Sequence, residues 1–457
     1  MASSLSLSLS RSLSRSLSLR KVRAVRVWAL FGVVVLAVNL RAAITGVAPV
    51  LAELKAQFGL SGFGTSVLTT LPVLCLGVFA SLAPPLARRV GAEVAVAGAL
   101  VLITTGILIR LLDSPVALFS GTVLAGAGIA AGNVLLPAII KCQFPGRVGS
   151  VTGLAMMLMA GSGAFAAGLA VPLDHAAGWR VAFAVWAVPS AIAATVWAVR
   201  GRVDCRCVPA TTPQAPGAAA GSLLRSPLAW SVAAFLGLVS LVFYVLVSWL
   251  PAIMRDGGYP ATEAGVMVSV MLLIGIPLGF AVPLLATRLG DQRPLVLVAA
   301  GLTAAGLAGL LLAPGAGWVW VCVLGLATGS AFPLAVTLLS LRSPSPVVAA
   351  GLSGMAQTVG YLLAGLGPLA VGALRGATGG WHVPLLVVLG LVVPETYFGL
   401  RTARPGFVRP LPAEGAGDGD GGGGRDGGGA AGPRIPAPRT ERPLATTGPS
   451  SPRPASG

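Results

Sequence analysis

Between residue 28 and about residue 401 the sequence repeats one pattern: a long apolar run, then a short break carrying charge, Pro or Gly. Twelve runs lie near 28–52, 65–87, 93–111, 115–140, 147–172, 180–199, 228–253, 262–286, 294–312, 317–341, 347–374 and 381–401. About 20 apolar residues at 1.5 Å rise cross the roughly 30 Å hydrocarbon layer of a bilayer, so each run predicts a membrane-spanning helix. The expected fold class is an all-α membrane protein of twelve transmembrane helices.

The breaks are unequal. Residues 200–227 form the long internal connector, rich in Ala, Pro, Gly and Thr, the composition of a flexible linker. It separates an expected six-helix bundle at 28–199 from a second at 228–401. The halves also repeat. LARRVG at 86–91 matches LATRLG at 285–290, TGLA at 152–155 matches SGMA at 353–356, and GWRV at 178–181 matches GWHV at 380–383, at offsets of 199, 201 and 202. Three matches in order at nearly one offset mark an internal repeat, the build of a carrier whose site lies between two related bundles. The flanks differ in kind. Residues 1–27 begin as a Ser/Leu/Arg low-complexity tail, and 402–457 become Gly/Pro/Asp/Arg repeats too poor in apolar residues to fold. A cleaved signal peptide is not expected, because the following run is long enough to anchor.

Composition agrees with the pattern and changes one inference. Of 457 residues, 55% are hydrophobic and 10% charged, with a mean hydropathy of +0.88; a soluble domain carries about 25% charge. A net charge of +17 would point to nucleic acid in a soluble chain. Here the basic residues sort by side. With the N-terminus cytoplasmic, that face collects seventeen Lys and Arg and the other face five. This bias predicts a multi-pass protein of the cell membrane with both termini cytoplasmic, and no nucleic-acid partner. Five cysteines give no disulfide framework, and Cys205-x-Cys207 lacks the companions of a metal site, so neither metal nor cofactor is expected. Gly126-x-Gly128-x3-Gly132 lies within an apolar run, so it reads as close helix packing, not as a nucleotide loop.

One charge interrupts the first run. Arg41 lies 15 residues after Arg26, which places it about 22 Å across the layer, too deep to snorkel back. An ionised arginine there costs from about 3 to over 10 kcal/mol unless it faces a cavity or a partner. Asn39 precedes it, and Thr45 follows one turn later on the same face. Among the 14 acidic residues, Glu395 alone falls clearly inside a predicted span, and that span is the last. Arg41 therefore has no evident built-in counter-ion, and a small anion or strongly dipolar solute is the expected partner. The alternative is a structural pairing with a carbonyl or carboxylate.

The loops PPLARRVG and PLLATRLG resemble, in degraded form, the repeated signature of the major facilitator superfamily, although Ala87 or Arg88 stands where its acid belongs. Within that superfamily the chain is similar to the cyanate/2-nitroimidazole transporter family over most of 28–400. The resemblance is carried by Asn39-Leu40-Arg41, LTTLPVLCLG at 68–77, GNVLLPAIIKCQFP at 132–145, SWLPAI at 248–253, and AFPLAVTLLSLR with LSGMAQTVGYLLAGLGP in spans 10 and 11. Ala42 stands where that family often has proline, so substrate choice is expected to differ from the named members. The resemblance implies a central cavity lined mainly by spans 1, 4, 7 and 10, with help from spans 5, 8 and 11.

Depth then ranks the polar candidates: Gln357 about 15 Å in, Tyr361 about 21 Å and Tyr244 about 24 Å, with Asn133 about 12 Å from Lys141 at the near edge. Arg110, Lys141 and Arg342 sit at span ends and are read as snorkelling. The function expected is a secondary transporter working by alternating access on a small anionic or dipolar solute, cyanate-like or nitroheterocycle-like. Its expected site is Arg41, Asn39, Thr45, Gln357, Tyr244, Tyr361 and Asn133. A coupled ion fits this scheme, and the carrier is expected to be a monomer. The other readings are a multidrug or metabolite exporter of the same fold and a non-transporting sensor. An integral-membrane enzyme is disfavoured, because the two histidines, His175 and His382, fall in predicted loops and no acidic pair is buried.

Overall fold

The computed structural model describes residues 27–43, 45, 50–201 and 223–408. Helices occupy nearly all of them, and no strand occurs among the described residues. Span 1 is Val27–Ala43, and span 2 is Gly62–Ala80 continued by Ala83–Val90. Spans 3, 4 and 5 are Ala92–Ile109, Pro115–Gln143 and Val148–Ala177, and span 6 is Trp179–Ala184 with Ala187–Arg200. The second half follows as Pro227–Asp256, Ala261–Arg288, Arg293–Leu312, Gly317–Leu341, Pro346–Thr378 and His382–Ala403 for spans 7 to 12. Ten of these can cross a bilayer by length and composition, and the bent span 2 makes an eleventh. Val27–Ala43 is a shorter apolar helix that borders residues outside the described set.

Local chemistry sets where spans start and bend. Spans 7 and 11 each open with Ser-Pro: the Ser226 and Ser345 hydroxyls accept from the amides of Ala229 and Val348. The proline that follows needs no hydrogen-bond partner at a helix's first position. Span 2 bends by 52° between Thr70–Ala80 and Ala83–Val90. The adjacent prolines Pro84 and Pro85 lack amide donors and crowd the carbonyls one turn earlier, which breaks a helix at that place.

The repeat seen in the sequence is also a repeat of packing. In the first half span 2 lies on span 4, and span 3 on spans 4 and 6; in the second, span 8 lies on span 10, and span 9 on spans 10 and 12. Contacts between the halves follow the same rule: span 2 packs along span 11, and span 5 along span 8. We call the side where spans 1 and 7 begin the terminal face. Near it the halves meet closely. A Cβ on Gly149 would lie 2.7 Å from the Pro283 carbonyl oxygen, and one on Gly153 2.6 Å from that of Phe280, so spans 5 and 8 touch there only because glycine occupies both positions. The Lys141 Nζ donates to the Ser340 carbonyl at 2.8 Å, joining spans 4 and 10 across the same face.

The three basic residues read as snorkelling do not reach for lipid headgroups. Arg110 is 1% exposed and donates to the Ala43 carbonyl at the end of span 1. Arg342 is 6% exposed and donates to the carbonyls of Thr402 and Ala403 and to Gln292 Oε1. Neighbouring helix ends put unpaired carbonyls within reach, and a buried guanidinium takes them in preference to a long detour to water.

Candidate functional site

A cavity of about 790 Å³ lies between the halves, with walls from spans 1, 2, 5, 7, 8 and 10. Helix periodicity explains which residues face it. On span 7, Ser240, Tyr244 and Val247 follow each other at four and three residues, one stripe of the helix. On span 5 the stripe is Met156, Met159, Gly163 and Ala167. Span 1 supplies Arg41 and Thr45, also four apart. The linings of spans 1, 2 and 8 come mostly from the half of each helix away from the terminal face. The cavity therefore lies on that side, beyond the closure between spans 5 and 8.

Arg41 is the charged residue of this lining. Its guanidinium carbon stands 6.0 Å from the centre of the Phe332 ring, a cation–π distance. No acidic side chain among the described residues pairs with it, and its carbonyl accepts from the Thr45 hydroxyl at 3.1 Å. Tyr244 lines the same cavity wall. No cluster of His, Cys, Asp or Glu able to hold a metal ion occurs among the described residues.

Next to this cavity is a niche of about 20 Å³ lined by Asn133, Thr152, Gln357 and Tyr361, with apolar residues on the remaining walls. Gln357 and Tyr361 are one turn apart on span 11 and reach it together. Met156, Met159 and Phe332 belong to both walls, so the niche adjoins the Arg41 cavity. Counted along their helices, Asn133, Thr152 and Gln357 lie nearer the terminal face than Arg41 does, and Tyr361 lies at about its depth.

Of the seven residues expected at the site, the structure brings Arg41, Thr45 and Tyr244 to the cavity and Asn133, Gln357 and Tyr361 to the niche. It does not bring Asn39 to either. The Asn39 amide donates to the carbonyls of Val35 and Pro189, in the packing of span 1 on span 6, and the residue is 4% exposed. Sequence reasoning missed Phe332 and Thr152. Phe332 follows Ala331 and precedes Pro333 in an apolar run, and no pattern marks such a ring as a cavity wall instead of core.

Residues 29–368 match the family described as the Major Facilitator Superfamily. The chain belongs to the major facilitator superfamily. Its curated relatives include the 2-nitroimidazole transporter of Escherichia coli, 38% identical over 385 residues, which are 84% of this chain and 97% of that protein. The cyanate transport protein CynX of the same organism is 31% identical over 62% of this chain and 73% of its own length. Among solved structures, the E. coli fucose:proton symporter FucP superposes with a TM-score of 0.64 at 14% identity, covering 82% of this chain and 98% of that one. That likeness shows the twelve-helix fold of two six-helix pseudo-repeats. The chain is a membrane transporter of this superfamily and not an enzyme.

Proposed function

We propose that the chain carries a small anionic or strongly dipolar solute, held by Arg41, across the cell membrane by alternating access. The observation that carries this reading is a membrane-embedded arginine that lines a cavity of about 790 Å³ with no acidic partner among the described residues. A guanidinium offers paired donors to carboxylate-like or nitro-like oxygens, and Phe332 and Tyr244 supply a ring-bearing wall beside it. Of the relatives, one is named for 2-nitroimidazole, which carries a nitro group, and one for cyanate, a small anion. Cavity size favours the first: ligand sites of about 300–1,000 Å³ suit ring-sized molecules better than triatomic ions. In this reading the terminal face is cytoplasmic, both ends of the chain lie inside, and one chain suffices. Closure between spans 5 and 8 with the cavity on the other side is then an outward-facing state.

The test is uptake of 2-nitroimidazole and of cyanate into proteoliposomes, with melting temperature measured in parallel. Arg41→Gln removes the charge that is costly to insert, so the variant is expected to fold at the parental melting temperature and lose flux. An Arg41→Gln protein that transports at the parental rate sinks the reading.

A further inference from the structure

We propose that Gln357 Oε1 and the Thr152 hydroxyl form a second, neutral subsite that accepts a hydrogen bond from an N–H or O–H group of the transported solute. The inference rests on the carrier reading above and narrows its substrate class to solutes carrying a donor as well as the group held by Arg41.

The orientation of Gln357 is fixed by its partners. Its Nε2 donates to Ser353 Oγ at 2.8 Å and to the Asn133 carbonyl at 3.2 Å. A carbonyl only accepts, so the amide cannot be turned over, and Oε1 is held as an acceptor on the other side. Gln357 is 6% exposed, and its Oε1 has no hydrogen-bond partner. Thr152 is 2% exposed, and its Oγ1 has none either. Both residues line the niche of about 20 Å³. An unpaired buried polar atom costs about 1–3 kcal/mol, and of the residues that carry one among those described, Gln357 and Thr152 are the two that line the niche or the adjoining cavity.

The chemistry of the niche selects its occupant. Its polar members are Asn133, Thr152, Gln357 and Tyr361, none of them ionised at neutral pH, and the rest of its wall is apolar. It therefore offers nothing to a formal charge, whereas Arg41 in the adjoining cavity does. Its volume admits one water or one donor group at the edge of a larger molecule. Met156, Met159 and Phe332 are shared by the two walls, so a solute released from Arg41 toward the terminal face meets Gln357 next. An azole that bears both a nitro group and a ring N–H satisfies both places. A donor-free ion such as cyanate satisfies only the first.

The experiment is competition against 2-nitroimidazole uptake in proteoliposomes at acidic pH, where the ring nitrogen keeps its proton. One competitor is 1-methyl-2-nitroimidazole, which has lost the N–H. The other is 4-methyl-2-nitroimidazole, which has the same added bulk and keeps it. The wild-type chain is expected to bind the 4-methyl compound about as well as the parent and the 1-methyl compound about tenfold more weakly. Gln357→Met, similar in length without the acceptor, should bring the two competitors to within about twofold of one another. Thr152→Val, isosteric and lacking only the orphan hydroxyl, should melt no lower than the parent and narrow the gap. Equal competition by both compounds in the wild type overturns the inference and leaves the Arg41 reading standing. So does full discrimination persisting in both variants; a water held permanently in the niche produces the first of these results. If the wild type takes up none of the three nitroimidazoles, the proposed solute class fails and the inference fails with it.

Discussion

Arg41 and Arg342 are the same residue type in the two halves of one apolar molecule, Arg41 half-buried and Arg342 buried, and they are satisfied in opposite ways. Arg342 ends span 10, where the last carbonyls of span 12 and the Gln292 amide oxygen converge on it. Arg41 stands in a cavity wall with the face of Phe332 beside its guanidinium and no acidic partner among the described residues. The repeat sharpens the contrast. Arg342 lies 201 residues after Lys141, the same offset that relates TGLA to SGMA. Yet Lys141 bonds across to the other half at Ser340, while the Arg342 side chain bonds, among the described residues, within its own. A buried cation bonded to helix-end carbonyls is part of the scaffold; one that lines a cavity with no acidic partner among the described residues is set for something that arrives from outside.

The largest effect should come from removing the scaffold cation. Arg342→Met loses three hydrogen bonds from a charged donor, worth about 1.5–3 kcal/mol apiece, and leaves buried acceptors unpaired. The variant should melt far below the parent or fail to accumulate as a monodisperse protein. A normal melting curve would show that those carbonyls find other donors.

Next in size is Arg41→Lys, which keeps the charge but loses the planar two-donor geometry. Apparent affinity for the solute should fall roughly 10- to 150-fold, the value of one charged hydrogen bond, while melting temperature holds. A drop in stability with unchanged affinity would move Arg41 into the class of Arg342.

Phe332→Leu tests the ring that Arg41 faces. Losing a cation–π contact worth about 0.5–2 kcal/mol should weaken solute affinity between about twofold and thirtyfold. The smallest functional effect belongs to Asn39→Leu. Its hydrogen bonds hold span 1 to span 6, so the protein should melt slightly lower, by about 1 kcal/mol per bond lost, with solute affinity unchanged. A change in affinity without a change in melting would place Asn39 in the path.

Much of this was legible residue by residue. Arg41 stood out because hydrocarbon makes an ionised side chain so costly that its presence alone needs an explanation. Thr45, four residues on, and the pair Gln357 and Tyr361, also four apart, were bound to share a face with their neighbours. The same rule spoke against Asn39. Two residues advance a helix by about 200°, so Asn39 and Arg41 must look in nearly opposite directions. The basic span ends were misread because their alternative to snorkelling is a carbonyl on a helix distant in sequence: Ala43 for Arg110, and Thr402 for Arg342.

The sequence by itself determined the helices, most of their approximate ends and the repeat, because crossing a bilayer demands a length of apolar chain that can be counted; span 1, expected over 28–52, is described as the helix Val27–Ala43, and Leu51–Phe58 is a helix of its own. It also determined that Arg41 needs a partner. Which side chains meet was decided only by the tertiary structure. The niche joins Asn133 to Gln357 across 224 positions, and Phe332 faces Arg41 from the other half of the chain. Such meetings depend on how helices rotate and cross. In lipid that is settled by close packing of small residues such as Gly149 and Gly153 against span 8, not by any hydrophobic period a single run can display.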